Sequence, residues 1–349
     1  MSRMTVLAFE TSCDETSVAV VRDGRVIANE VSSQIKLHAE YGGVVPELAT
    51  REHLRNLPVV AETALRRAGL RAAEVDAVAA TQGPGLPNAL MIGFKAGQSL
   101  AFALGKPFLG IHHHEAHLYS PWIGGEPPAA QFEQFEPNVS LIVSGGHTML
   151  VLVEGELKHR VLGSTVDDAA GECFDKVAKL IGLPYPGGPE LDRLAAEGNP
   201  RAHDFPRPML HDANDDFSFS GLKTSVRYYL RDHPAVLEDG RKLRDLCASV
   251  QAAIVEVLVA KTIRAAKRQR VRCVTASGGV TCNRGLRAEL EAACRKAELK
   301  LRLAERSLCT DNAGMIAILA ERHLLKGSPS TPWTADIQPS WRLDDEKAA

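Results

Sequence analysis

No run of 18 apolar residues occurs anywhere in the chain, so the sequence offers no membrane span. No secretory leader is expected from the opening Met-Ser-Arg-Met-Thr-Val-Leu-Ala-Phe-Glu, which meets an acidic residue at once. There is no surplus of positive charge: 41 Lys and Arg stand against 43 Asp and Glu, for a net charge of -2. That excludes a polycation gripping nucleic acid by bulk charge, and any RNA must be held by local basic residues. Cys-x-x-Cys pairs are absent, and the seven cysteines, at 13, 173, 247, 273, 282, 294 and 309, are odd in number. Neither a disulfide framework nor a zinc ribbon is indicated, and a reducing, cytoplasmic setting is expected. What remains is 349 residues, 45% hydrophobic and 24% charged, enough for two domains with cores of their own.

The densest chemistry is at residues 111–120, Ile-His-His-His-Glu-Ala-His-Leu-Tyr-Ser, which hold four of the twelve histidines. On a helix, residues four apart leave one face, so His113 and His117 can converge on one metal ion. His114 and His117, three apart, compete for that role. Two imidazoles do not complete a site. The candidate third ligand is Asp311, in a Cys-Thr-Asp-Asn turn expected to cap a helix running to Leu325. The stretch is not the His-Glu-x-x-His of zinc peptidases, since a single residue separates Glu115 from His117.

Residues 6–9 and 17–21 read as strands around the turn Glu10-Thr-Ser-Cys-Asp-Glu-Thr16, and Asp23-Gly24 closes the second strand. The same grammar returns as a strand at 140–143, Ser144-Gly-Gly-His-Thr148, a strand at 149–153, and Glu154-Gly155. Residues 18–24 match 149–155 at a constant offset, the first turn being about three residues longer. This repeat predicts an α/β chain of the duplicated actin, hexokinase and Hsp70 (ASKHA) architecture, two lobes around a cleft. The polar, proline-bearing stretch 126–137 sets the expected boundary. Residues 1–136 then form the first lobe with the histidine motif, 137–326 the second with the substrate turns, and 327–349 a partly ordered strap with an acidic end.

Other turns have two readings. Gly83-Pro-Gly-Leu before an apolar helix at 89–104, and Ser277-Gly-Gly-Val-Thr-Cys-Asn283 before a helix at 284–296, either admit an anion or flat ligand or only tighten the chain. Asn283 offers both a donor and an acceptor to a base or ribose edge. Residues 199–214 read as a long surface loop or lid. A strong amphipathic helix at 246–263 ends in Arg264, Lys267, Arg268, Arg270 and Arg272. That run either meets RNA phosphates or opposes the helix dipole, and the second is the commoner use.

Laid out in order, Glu10-Thr-Ser-Cys-Asp-Glu-Thr, Tyr41-Gly-Gly-Val-Val-Pro-Glu, Gly83-Pro-Gly-Leu, His113-His-Glu-Ala-His117, Val143-Ser-Gly-Gly-His-Thr, the stretch 168–176, Tyr185-Pro-Gly-Gly-Pro, the stretch 217–224, Gly278-Gly-Val-Thr-Cys-Asn283 and Cys309-Thr-Asp-Asn cover nearly the whole chain. In these segments it resembles the tRNA N6-adenosine threonylcarbamoyltransferase family, formerly called O-sialoglycoprotein endopeptidases. The resemblance implies transfer of a threonylcarbamoyl group from threonylcarbamoyl-AMP to N6 of adenosine 37, in tRNAs reading codons that begin with A. It implies one divalent metal per chain, Fe(2+) with Zn(2+) as the alternative, held by His113, His117 and Asp311. It assigns substrate to Ile142, Val143, Ser144, Gly145, Gly146, Asp175, Gly188, Asp192 and Asn283. Besides tRNA, a smaller inactive paralogue and a small ATPase are the implied partners, with no membrane.

Asp14 and Glu15 are the candidate proton acceptors. The sequence departs from the family pattern at His114, where methionine is usual, at Ala313-Gly314, and at Pro87-Asn88. The competing readings are a metallopeptidase and a non-catalytic ATP-binding assembly subunit.

Overall fold

A continuous apolar run makes Thr5–Glu10 (β1) a strand buried on both faces, and it lies in the interior of a sheet. The computed structural model describes residues 4–344; the acidic end expected at 345–349 lies outside the described residues. Strand β2 (Glu15–Arg22) pairs antiparallel with β1, and β3 (Arg25–Ser33) with β2. Asp23 and Gly24 join these two with φ of 51° and 73°, the left-handed backbone that a two-residue hairpin demands. The segment expected as loop from His38 opens instead with a short helix, Ile35–Ala39. Helix Pro46–Ala68 follows, with proline in its first turn and left-handed Gly69 at its end. Strands β4 (Ala77–Gly83) and β5 (Phe108–His112) add in parallel around helix Pro87–Leu104. Two short strands, β6 (Ile123–Gly124) and β7 (Ala129–Ala130), give the order β5-β4-β1-β2-β3-β7-β6.

The second sheet contains β8 (Asn138–Val143), β9 (Thr148–Gly155), β10 (Lys158–Ser164), β11 (Cys273–Ser277) and β12 (Lys300–Leu303) in the order β10-β9-β8-β11-β12. Neighbours and directions match β3-β2-β1-β4-β5, so the repeat read from the sequence is a repeat of topology. The rung Phe9↔Val18 has the place of Ile142↔Met149, each one rung from its turn. Six residues, 11–16, bridge the first hairpin and four, 144–147, the second, a difference of two rather than three. The second hairpin closes at Glu156 and Leu157, and of the expected turn residues Gly155 pairs with Lys158 while Glu154 is bulged within the strand.

Each sheet has its own core. Leu7, Phe9, Val18, Phe94 and Phe108 are buried together in the first, and Val139, Leu141, Phe174, Leu222 and Leu258 in the second. Fully burying such a side chain stabilises by about 1.5–3 kcal/mol. The helix expected at 246–263 runs over Gly240–Gln269, with Asp239 capping its start. It is buried nearly all round from Leu246 to Ala266, so it is a core helix and not a one-sided one. It is also the one described helix long and apolar enough to cross a membrane, yet 72% of its apolar window is buried inside the protein.

The division of the chain corrects the expected lobes. One unit takes the chain up to Phe135 and resumes at Glu305, and the other spans Glu136–Ala304. Residues 305–326, expected in the second lobe, therefore belong to the first. The reason is helix Ala313–Leu325, buried from Ala313 through Glu321, which needs a wide apolar bed and finds it on β1, β2 and β3. Its start is tied there: Ala313 N donates to Ser17 Oγ at 2.9 Å and Gly314 N to Asn29 Oδ1 at 3.1 Å. Farther along, Glu321 Oε1 accepts from the N–H of Gly24 at 3.0 Å. The strap from Ser328 to Asp344 also lies on the first unit.

Candidate metal centre and substrate turn

Strand β5 ends at His112, and the next residue starts the helix His113–Tyr119, all of it buried. His112 caps this helix with its own ring, Nδ1 accepting from the N–H groups of His114 at 3.2 Å and Glu115 at 3.4 Å. The i, i+4 spacing then turns His113 and His117 the same way. Their Nε2 atoms lie 3.3 and 3.2 Å from a single oxygen, Asp311 Oδ1. The candidate donor atoms of these three residues are all within 4.8 Å of one another. His114, the competing ligand by spacing, is buried outside this group, its ring 5.8 Å from that of His113.

Asp311 is not a helix cap, contrary to expectation. A short helix, Arg306–Cys309, precedes it, and Asn312 caps Ala313–Leu325 by accepting from Met315 N at 3.1 Å. The Asp311 carboxylate is thereby left to the two imidazoles.

A carboxylate that sequence reasoning missed organises the centre. Glu10, the last residue of β1, is fully buried and places Oε2 3.0 Å from His113 Nδ1. The same oxygen accepts from Thr81 Oγ1 at 2.6 Å, while Oε1 accepts from Ser12 N at 2.5 Å. Because a carboxylate only accepts, His113 donates from Nδ1, and Nε2 is the atom it turns to a metal. Its signal in the sequence was a charged residue closing an otherwise apolar strand.

Burial alone would lower the His113 pKa, but the Asp311 and Glu10 carboxylates outweigh it and hold it well above the ordinary imidazole value. His117 goes the other way, pushed down by burial. Asp311, against the effect of burial, is held well below the usual carboxylate range by the His113 charge. Two imidazoles and one carboxylate, with one ring oriented by a second carboxylate, fit a single divalent ion.

Asp14 and Glu15 stand at the first hairpin turn. Burial, then the charges of Asp14 and Asp311, push the Glu15 carboxyl well above its usual range. The turn is held from behind by His53 of helix Pro46–Ala68. Its Nε2 donates to Cys13 O at 2.9 Å, so Nδ1 accepts from Thr16 Oγ1 at 2.8 Å.

The residues assigned to substrate all belong to the second unit. Ser144 closes the 144–147 turn twice, its N–H donating to His147 O at 2.8 Å and its Oγ accepting from His147 N at 3.2 Å. A Cβ on Gly145 or Gly146 would meet nothing within 4 Å, so this backbone is open. The turn rests on two other glycines: a Cβ on Gly171 would fall 2.4 Å from Ser144 O, and one on Gly278 the same distance from Val143 O. Gly171 also starts helix Ala170–Leu180 against the turn, its N–H donating to Ser144 O at 3.2 Å.

Asp175 Oδ1 accepts from the N–H groups of Gly187 at 2.8 Å and Gly188 at 3.1 Å, which anchors the start of helix Gly187–Ala195, and burial raises its pKa. Asp192 Oδ2 accepts from Arg284 Nε at 2.9 Å, whereas its Oδ1 is buried without a partner. Asn283 is more committed than expected. Its Oδ1 caps helix Arg284–Lys296 through Leu286 N at 2.8 Å, and its Nδ2 donates to Gln251 Oε1 at 2.6 Å.

The basic run is corrected in part. Arg264 donates to the carbonyls of Leu210 and Asn214, and Arg268 pairs with the buried Asp215. With Lys261, which donates to the carbonyls of Asn214 and Asp216, they form one helix face that pins the expected lid to the core.

Two α/β units with one strand order between them, one bearing a His-His-carboxylate centre, define a metal-centred member of the actin, hexokinase and Hsp70 class. Solved structures agree on the fold: the HypF of T. kodakarensis superposes with a TM-score of 0.59 at 16% identity, over 93% of this chain and 48% of that one. The activator of the 2-hydroxyisocaproyl-CoA dehydratase of Clostridium difficile, with bound ADPNP, gives 0.51 at 14% identity over 95% of this chain and 99% of its own. Sequence comparison is narrower. The tRNA N6-adenosine threonylcarbamoyltransferase profile matches residues 25–318. The enzymes of that name from Geotalea uraniireducens and Geobacter metallireducens are 50% and 49% identical to this chain, each over 98% of it and over 97% and 98% of their own lengths. The chain belongs to the tRNA N6-adenosine threonylcarbamoyltransferase family.

Proposed function

We propose that this enzyme transfers the threonylcarbamoyl group of threonylcarbamoyl-AMP to N6 of adenosine 37 in tRNAs that read codons beginning with A. The observation that carries the reading is the His113, His117 and Asp311 group, ordered by Glu10, in a chain half identical to its relatives from end to end. In the reaction a bond forms between N6 and the carbamoyl carbon, the bond from that carbon to the adenylate phosphate oxygen breaks, and AMP leaves.

N6 is a weak nucleophile because its lone pair is conjugated with the purine, so the acyl group and the leaving phosphate both need stabilisation. When bound, a divalent ion supplies positive charge for those oxygens. Iron(II) is our choice and zinc the alternative, since two histidines and one carboxylate are the donors that non-haem iron(II) sites use. Gly145 and Gly146 offer bare N–H groups to an oxyanion or phosphate. The buried, unpartnered Asp192 Oδ1 suits a hydroxyl donor of the adenylate ribose. Asp175 and Asn283 act indirectly, fixing Gly187, Gly188 and the start of helix Arg284–Lys296 through the bonds described. The N6 proton goes to the turn that carries Asp14 and Glu15, where burial holds the Glu15 carboxyl above its usual range and makes it the more basic for that role.

The peptidase reading loses support from Glu115, the glutamate of the histidine segment, whose Oε2 lies 3.5 Å from His323 Nε2. Family membership also supports tRNA, a smaller inactive paralogue, a small ATPase and a cytoplasmic setting as context for the reaction. Nucleoside analysis of tRNA incubated with metal-loaded protein, threonylcarbamoyl-AMP and these partners tests the assignment. Unmodified tRNA beside cleaved casein would overturn it in favour of a peptidase.

A further inference from the structure

The C-terminal strap is docked residue by residue on the first sheet. Thr331 N donates to Phe108 O at 2.8 Å, and Gly110 N donates to Thr331 Oγ1 at 2.8 Å, which ties the strap to edge strand β5. Trp333 packs on Phe102 and Phe108. Beyond it, Lys95 pairs with Asp336 at 3.2 Å, and Gln338 N donates to Gln82 O at 2.8 Å. Gly83 is glycine for this contact, because a Cβ there would fall 1.9 Å from Gln338 O. Gly85 N then donates to Pro339 O at 3.1 Å. The chain turns, Trp341 N donating to Gln338 O at 3.1 Å, and the indole meets the ring of His112 with centroids 4.7 Å apart.

His112 is the residue whose ring caps the metal helix. That helix has seven residues, too few to hold its own orientation, and the directions of His113 and His117 follow its rotation. The cap works only while the His112 ring keeps Nδ1 over the N–H groups of His114 and Glu115, and a swing of about 30° about the ring axis would spoil both bonds. Trp341 walls the ring on one side.

We propose that Trp341 is a positioning residue for the metal centre, acting through the His112 cap on the helix that presents His113 and His117. The inference rests on the metal reading of that centre. The test is competition between a chelator and the full-length protein for Zn(2+), and for Fe(2+) without oxygen, beside thermal melts. Trp341→Ala and Trp341→Leu should each weaken metal binding about tenfold, the low end of what a ligand's outer partners cost. Trp341→Phe, which keeps a ring, should bind within about threefold of wild type. Trp333→Ala, which loosens the strap away from His112, should lower the Tm while leaving affinity within about twofold. The leucine variant keeps apolar bulk and decides the matter if the alanine variant does not fold.

Wild-type affinity in the leucine variant, or equal loss in Trp333→Ala, would overturn the proposal and leave the metal reading standing. A wild-type protein that binds neither ion would overturn both.

Discussion

The two hairpin turns occupy equivalent places in two sheets of one topology, yet they are built in opposite ways. In the first, every bridging residue from Thr11 to Thr16 has a polar or ionisable side chain, and Glu10 behind them is buried among partners. In the second, Ser144 closes the turn and Gly145 and Gly146 present bare backbone. One duplicated frame thus supports two kinds of electrostatics. The first unit uses buried charge to orient its candidate cation site, and the second leaves open backbone N–H groups of the kind the proposed function turns toward an anion.

The sharpest break in that contrast is Asp311→Ala. Removing one of three ligands should cut metal affinity by more than about 100-fold, beyond the loss expected of an outer partner, and abolish transfer. Because Asn312 and not Asp311 caps the following helix, circular dichroism should remain that of wild type. A folded, metal-free variant with full activity would remove the centre from the mechanism.

Glu10→Gln comes next. It keeps the shape but removes the charge facing His113, and about 10- to 100-fold weaker metal binding is expected by elemental analysis after dialysis.

Acidity probes the same contact without mutation. The His113 pKa is raised, so the stability its charge gives the metal-free chain is complete below the ordinary imidazole value and is lost as pH rises through the raised one. A metal needs Nε2 without its proton. Across that window affinity should therefore climb with pH, by up to about tenfold per unit for the one proton released, as calorimetry in buffers of different ionisation heat would show. His117, whose pKa is lowered, should add nothing there.

For the second turn, Gly145→Ala enters open space, so stability should change by less than about 0.5 kcal/mol. Adenylate affinity, followed by fluorescence titration with a non-hydrolysable analogue, should fall several-fold while metal content stays at the wild-type level.

The smallest effect concerns the basic run. Arg264→Ala leaves the Leu210 carbonyl without its charged donor and the Asn214 carbonyl with Lys261 alone, and should cost about 1–3 kcal/mol in urea denaturation. Lys267→Ala, on the exposed side, should cost less than about 0.5 kcal/mol. Equal destabilisation by the two would contradict the pinned-loop account.

What the sequence made legible was what local rules encode. Short apolar, β-rich runs bounded by turn residues located β1, β2, β8 and β9, and their recurrence predicted the shared topology. Helical spacing put His113 and His117 on one face. What stayed hidden depends on partners far along the chain. Glu10 reads as the start of a polar turn until His113, 103 residues on, is seen against it. Arg264 and Arg268 read as cations opposing a helix dipole or meeting RNA, because the loop they hold is 50 residues away and lacks a periodic pattern. Asn283 kept its apparent freedom only because Gln251 was out of view. The boundary at 326 failed for a related reason, since an apolar helix does not state which sheet it will cover.

The return of residues 305–344 to the first unit sets a timetable for synthesis. Asp311 meets His117 across 194 residues, and the intervening stretch comprises the whole second unit. While the ribosome is still making that unit, the earlier residues lack both the third ligand and the helix that lies on β1, β2 and β3. By chain order the first unit is made with two of the three candidate ligands in place, and the complete group forms only after Asp311 has been added. A prematurely terminated chain, however well its second unit folds, ends before it can hold the ion.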